Sequence, residues 1–156
     1  MPKGNVHRIT TLAIASISGI VLAKTGTLPL DQAIAFASGC SAGILLTPDL
    51  DLIAGSDGQN MARRAFGRPV AAAWRIFWLP YSIFIRHRSS FSHGPIIGTI
   101  IRLLYVSIPI GLILFGISRL VSLPATPIFT HYALIATIGL MTADTAHFIM
   151  DKILPG

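Results

Sequence analysis

The chain has 156 residues, of which 53% are hydrophobic and 12% charged, and a formal charge of +6. That charged fraction is about half of what soluble domains carry. With a mean hydropathy of +0.71 it excludes an ordinary water-soluble domain and indicates an integral membrane protein. A basic chain can mark a nucleic-acid binder. Here no helix-turn-helix pattern, zinc-finger spacing or aromatic RNA-binding signature occurs, and the arginines flank apolar runs as the positive-inside tendency dictates. No nucleic-acid partner is expected. The one cysteine, Cys40, lies among Ala, Ser and Gly and reads as a packing residue.

Ile9 to Ala23 is apolar apart from Thr10, Thr11, Ser16, Ser18 and Gly19, and it follows Lys3 and Arg8. It reads either as a first membrane helix reaching toward Leu28 or as a secretory signal ending at Val21-Leu22-Ala23. Cleavage would discard His7. After Gly26 and Pro29, Asp31 can cap a second helix, whose Ala35, Ala37, Ser38, Gly39, Ser41, Ala42 and Gly43 suit close helix approach in a bilayer. Thr47-Pro48 ends it, and Asp49 and Asp51 follow.

Gly55-Ser56-Asp57-Gly58 reads as a turn, and Arg63, Arg64 and Arg68 as a basic loop. From Val70 to Ile85, Trp74, Phe77, Trp78, Tyr81 and Phe84 build an aromatic segment broken at Pro80. That segment suits a helix in the headgroup region or a short buried helix. Pro95 to Val121 is the longest apolar run, interrupted by Arg102 and Arg119, and Pro124 and Pro127 mark a return loop before the last helix. The expected fold is all-α, one membrane domain over residues 1–156 with four transmembrane segments at about 9–28, 31–47, 95–119 and 129–150. The loop over 48–94 carries the interfacial helix.

Four antiparallel segments bring the start of the first, the end of the second, the start of the third and the end of the fourth to one side. Those places hold His7, Asp49 and Asp51, His87 and His93, and Asp144, His147 and Asp151. They account for four of the six aspartates and four of the five histidines, and the chain has no glutamate. Asp144, His147 and Asp151 are spaced i, i+3, i+7 and share a helix face. Ionisable groups in an apolar segment are functional candidates by default, although Asp144 could instead pair with Arg102. Imidazole with carboxylate and no thiolate suits zinc, manganese or iron(II). The number of candidate ligands fits two ions, or one ion with orienting carboxylates. Lys3, Arg8, Arg63, Arg64, Arg68, Arg75, Arg86, Arg88 and Lys152 lie on the site side, against Lys24 and Arg119 opposite. That bias places both termini and the cluster in the cytoplasm of a cell with this chain in its inner membrane.

Taken together, His7, Pro48-Asp49-Leu50-Asp51, Arg86-His87-Arg88 with Ser92-His93-Gly94, and Asp144-x-x-His147 with Asp151 resemble a family of bacterial metal-binding membrane proteins frequent in cyanobacteria. That family is similar to the membrane-bound metal-dependent hydrolases, with a leading His, a Pro-Asp-x-Asp, an Arg-x-x-Ser-His and a late Asp. The resemblance spans nearly the whole chain and implies metal binding at His7, Asp49, Asp51, His93 and Asp144. Relatives often carry His-Asp at the start, where this chain has His7-Arg8.

The expected function is a metal-dependent hydrolase acting on a phosphoester or lipid-like substrate at the cytoplasmic face, with membrane lipid as partner. Asp51 or Asp144 would accept the water proton, Arg86 and Arg88 would hold a phosphate, and His87 would protonate the leaving group. The alternative is a non-catalytic protein whose metal ties the segment ends together. An ion transporter ranks last, because only Arg102 and scattered Ser and Thr lie at membrane depth.

Overall fold

A computed structural model describes residues 4–52, 55–119 and 128–153. The described residues are all-α, with helices α1 (Gly4–Lys24), α2 (Leu30–Ala42), α3 (Asp57–Phe84), α4 (Ser90–His93), α5 (Ile97–Ser118) and α6 (Ile128–Ile153), and a short 3-10 turn at Pro48–Asp51 between α2 and α3. The expected return loop with Pro124 and Pro127 lies outside the described residues.

Among the described residues, three helices are long and apolar enough to cross a membrane: α1, α5 and residues His131–Ile153 of α6. The expected fourth segment is shorter than its apolar run. α2 has 13 residues, about 20 Å at 1.5 Å per residue against a hydrocarbon core of about 30 Å. Its helix ends at Ala42, where Leu46 N–H closes on the Ala42 carbonyl, and Thr47 and Pro48 then turn the chain. α2 lies pressed between α1 and α6 by small residues. A Cβ on Gly39 would overlap the Ala136 backbone, and one on Gly139 would overlap the Phe36 carbonyl. Ala15, Cys40 and Ala143 fill the seam where the three helices meet.

α1 begins before His7 rather than after it. The carboxylate of Asp57 lies against Gly4 at the amino end of α1, where negative charge stabilises a helix.

α3 replaces the expected turn and basic loop. Ser56 caps it, its hydroxyl accepting from the Gln59 N–H at 3.3 Å, so Arg63, Arg64 and Arg68 are helical. The helix kinks at Gly67, whose φ of 85° and ψ of −176° only glycine adopts readily. Pro69 then sits in the first turn of the second leg, where its missing N–H costs no bond. Pro80 does not break this leg, which runs to Phe84 with Pro80 exposed. Its inner face buries Trp78 and Tyr81 with Leu50 of the 3-10 turn, and Phe77 and Tyr105 pack against Trp78. Its outer face exposes Ile76, Leu79, Ile83 and Phe84. The aromatic segment is therefore buried on one side and open on the other.

α5 buries only Gly98, Thr99 and Arg102. Leu104, Ile108, Leu112, Ile113 and Phe115 are each about 60% exposed. A continuous apolar surface of that kind in water marks an interaction or membrane surface.

Candidate metal centre

Thr47 sets the 3-10 turn by accepting the Asp49 N–H on its hydroxyl at 3.1 Å, with Pro48 as the first residue of the turn. The two aspartates thereby aim at different partners. Asp49 reaches His93 of α4 and His147 of α6, and Asp51 reaches His87 and Ser92. α1 adds His7, and α6 adds Asp151 one turn past His147.

Together these groups alternate imidazole and carboxylate without interruption. His7 Nε2 is 3.3 Å from Asp151 Oδ1, and His147 Nε2 is 3.4 Å from Asp151 Oδ2. His147 Nε2 is 3.7 Å from Asp49 Oδ2, and His93 Nε2 is 3.4 Å from Asp49 Oδ1. His93 Nδ1 lies 3.7 Å from Asp51 Oδ2, and His87 Nδ1 lies 2.8 Å from Asp51 Oδ1.

The two ends of this series differ chemically. At the Asp51 end the groups satisfy one another. A carboxylate only accepts, so Ser92 Oγ spends its proton on Asp51 Oδ2. Ser92 Oγ also lies in hydrogen-bond contact with His93 Nδ1 and can only accept there, so Nδ1 carries the proton. That tautomer leaves the lone pair of His93 on Nε2, facing Asp49. Asp51, His87 and His93 can also be grouped as three ligands. This group differs from the two at the other end in that both Asp51 oxygens are already engaged, by His87 and by Ser92.

At the other end the groups are buried and unpartnered. His93 Nε2, His147 Nε2, Asp49 Oδ1 and both oxygens of Asp151 have no hydrogen-bond partner. Leaving such groups unpaired and dry is costly. Two ligands on one zinc, with bonds of about 2.1 Å at a tetrahedral angle, sit about 3.4 Å apart. The nitrogen–oxygen separations of 3.3, 3.4, 3.4 and 3.7 Å match that spacing. His7, His147 and Asp151 form one ligand group, and Asp49, His93 and His147 a second. The rings of His7 and His147 stack with centroids 4.0 Å apart, an arrangement suited to two neutral imidazoles. His147 has one lone pair on Nε2 and can serve one ion at a time. Three imidazole nitrogens and four carboxylate oxygens remain enough for one or two ions. Burial pushes the Asp49 carboxyl up, but contact with His93 and the neighbouring His147 and His87 outweigh burial and hold the group below the usual carboxylate range.

Asp144 departs from the expected ligand set. It is 1% exposed, pairs with Arg102 Nη2 of α5, and accepts from Thr99 Oγ1. Arg102 Nη1 donates to the Ser92 carbonyl at 2.9 Å, tying the pair to α4. Seven residues at 1.5 Å each put Asp144 about 10 Å along the helix from Asp151, so it shares the face but not the depth. Arg86 and Arg88 are exposed on the turn beside His87, with Arg88 at φ 60°. His131 is exposed, at the opposite end of α6. Sequence reasoning missed Ser92 and Thr99 as partners. Ser92 precedes His93 directly, and that adjacency was the one available signal.

The fold and site define an all-α metal-binding protein with membrane-length helices and a histidine–aspartate centre at one end. A family model described as "Uncharacterized metal-binding protein (DUF2227)" matches residues 2–156. The chain belongs to that family. Comparison with curated proteins and with solved structures gave no match.

Proposed function

We propose that the chain is a multi-pass inner-membrane protein with both termini in the cytoplasm, whose metal centre hydrolyses a phosphoester or lipid-like substrate at the cytoplasmic face. The observation that carries this reading is the set of buried, unpartnered imidazole and carboxylate atoms drawn from α1, the 3-10 turn, α4 and α6. The excess of lysine and arginine on the site side supports the cytoplasmic orientation. α2 returns the chain to the site end, which keeps the number of passes even although the helix is short. A relation to the membrane-bound metal-dependent hydrolases, which the motif set resembles, belongs to the same reading.

His7, His147, Asp151, Asp49 and His93 would hold the ion. When bound, a divalent cation supplies Lewis-acid polarisation of water and of a phosphoryl oxygen. Asp49 and Asp151 keep oxygens free of hydrogen bonds and are the proton acceptors for an attacking water, in place of Asp51 and Asp144. His87 directs Nδ1 at Asp51, so that Nε2 of the imidazolium form would carry the proton that the leaving group takes. Arg86 and Arg88, on the same exposed turn, match a phosphate in charge and geometry.

A structural metal is the second reading, and one observation favours it. The space beside His7 and His147 is only about 10 Å³, close to the room that one water needs. Purified protein loaded with zinc, manganese or iron separates the two readings. Turnover of a phosphomonoester, phosphodiester or lipid phosphate that D49N abolishes supports the hydrolase. A bound metal that raises thermal stability without any such turnover assigns the site to structure.

A further inference from the structure

The kink of α3 builds a second charged place, lined by none of the metal-centre residues. The first leg of the helix contributes Gln59 and Arg63, and the second contributes Arg68, Arg75, Ile76 and Leu79, around a cavity of about 570 Å³. Arg68, Arg75 and Leu79 are spaced i, i+7, i+11 and therefore share one face of the second leg. Gly67 turns the first leg so that Arg63 lines the same space.

Three arginines thus line one space with no carboxylate among its lining residues. Among the described residues none of the three makes an ion pair, the one arginine ion pair being Arg102–Asp144. Like charges held together without a counter-charge repel, and a bound anion relieves that repulsion. Guanidinium matches phosphate bidentately. The wall beyond the cations is apolar, with Ile76 70% and Leu79 38% exposed. A site for a free, fully hydrated phosphate has no use for that wall, whereas a phospholipid needs both parts. A choline or ethanolamine headgroup would bring its own cation against three others and be disfavoured.

We propose that the α3 elbow binds the headgroup of an anionic phospholipid, its phosphate on Arg63, Arg68 and Arg75 and its first acyl carbons on Ile76 and Leu79. The site is independent of the hydrolase reading.

Native mass spectrometry of the full chain, released from detergent with added phosphatidylglycerol or phosphatidylcholine, tests it. Phosphatidylglycerol should be retained about ten-fold or more over phosphatidylcholine, as expected for three cations near an anionic headgroup. R63Q/R68Q/R75Q should remove that preference, and R63K/R68K/R75K should keep most of it. I76Q/L79Q should weaken phosphatidylglycerol retention with the arginines intact. Every substituted side chain is exposed, and an unchanged metal content verifies that each variant folds. Equal retention of the two lipids by the wild type, undiminished retention by the triple glutamine variant, or displacement of the lipid by millimolar inorganic phosphate each overturns the proposal.

Discussion

Arg102 of α5 and Asp144 of α6 form an ion pair sealed from solvent, the arginine 0% and the aspartate 1% exposed. It joins two helices that otherwise touch little, and through the Ser92 carbonyl it also holds α4, the helix that carries His93. Breaking a buried pair from one side leaves an uncompensated charge, at a cost of about 3–5 kcal/mol. D144A and R102A should therefore melt markedly lower than wild type in a detergent thermal-shift assay. Whatever D144A protein folds should keep its full metal content by elemental analysis. Loss of metal in proportion to that of D49N would instead make Asp144 a ligand.

His147 belongs to both ligand groups, so H147A should lose more metal than H7A or H93A. Elemental analysis of the three variants, purified in parallel, ranks them. An H147A protein with wild-type metal content would refute the shared position.

Ser92 acts through His93 by holding its proton on Nδ1. Orienting partners of metal ligands are typically worth about 10–100-fold in metal affinity. S92A should weaken zinc binding by that order in a competition titration with a chromophoric chelator, while circular dichroism remains helical. Unchanged affinity would mean that the hydroxyl only fills space.

The α2–α6 seam depends on the absence of side chains. G139A would drive a methyl into the Phe36 carbonyl, whereas at Gly116 a Cβ meets nothing within 4 Å. Overpacking costs of about 1–3 kcal/mol predict a clearly lowered melting temperature for G139A and little change for G116A. Equal effects of the two would show that the helices are not in close contact.

Removing metal should destabilise the fold, since the candidate ligands come from α1, the 3-10 turn, α4 and α6 and binding energy is then folding energy. A chelator should lower the melting temperature of the wild type and leave that of H147A nearly unmoved. An identical shift in both proteins would point to metal bound elsewhere.

Composition and the placing of the apolar runs were sufficient, read as sequence, to assign an all-α chain with membrane-length helices. Alternation of the chain between two ends was sufficient to gather His7, Asp49, Asp51, His93, His147 and Asp151. Both inferences rest on local properties, hydrophobicity and direction of travel, that each segment carries by itself. Helix lengths near the polar ends were harder to read. The Ser56 cap and the glycine conformation at Gly67 made a kinked helix where charge density suggested a loop, and Thr47-Pro48 followed a helix that had already ended at Ala42.

What the tertiary structure alone decided is which polar group faces which. Asp144 shares a helix face with His147 and Asp151, but only the packing of α5 puts Arg102 at its depth. Asp49 and Asp51 are two residues apart and identical in kind, yet one faces unpartnered imidazoles and the other is filled by Ser92 and His87. The periodicity of a helix fixes direction around its axis, whereas the partner at each level is set by the neighbouring helix, and that information lies in no single stretch of the chain.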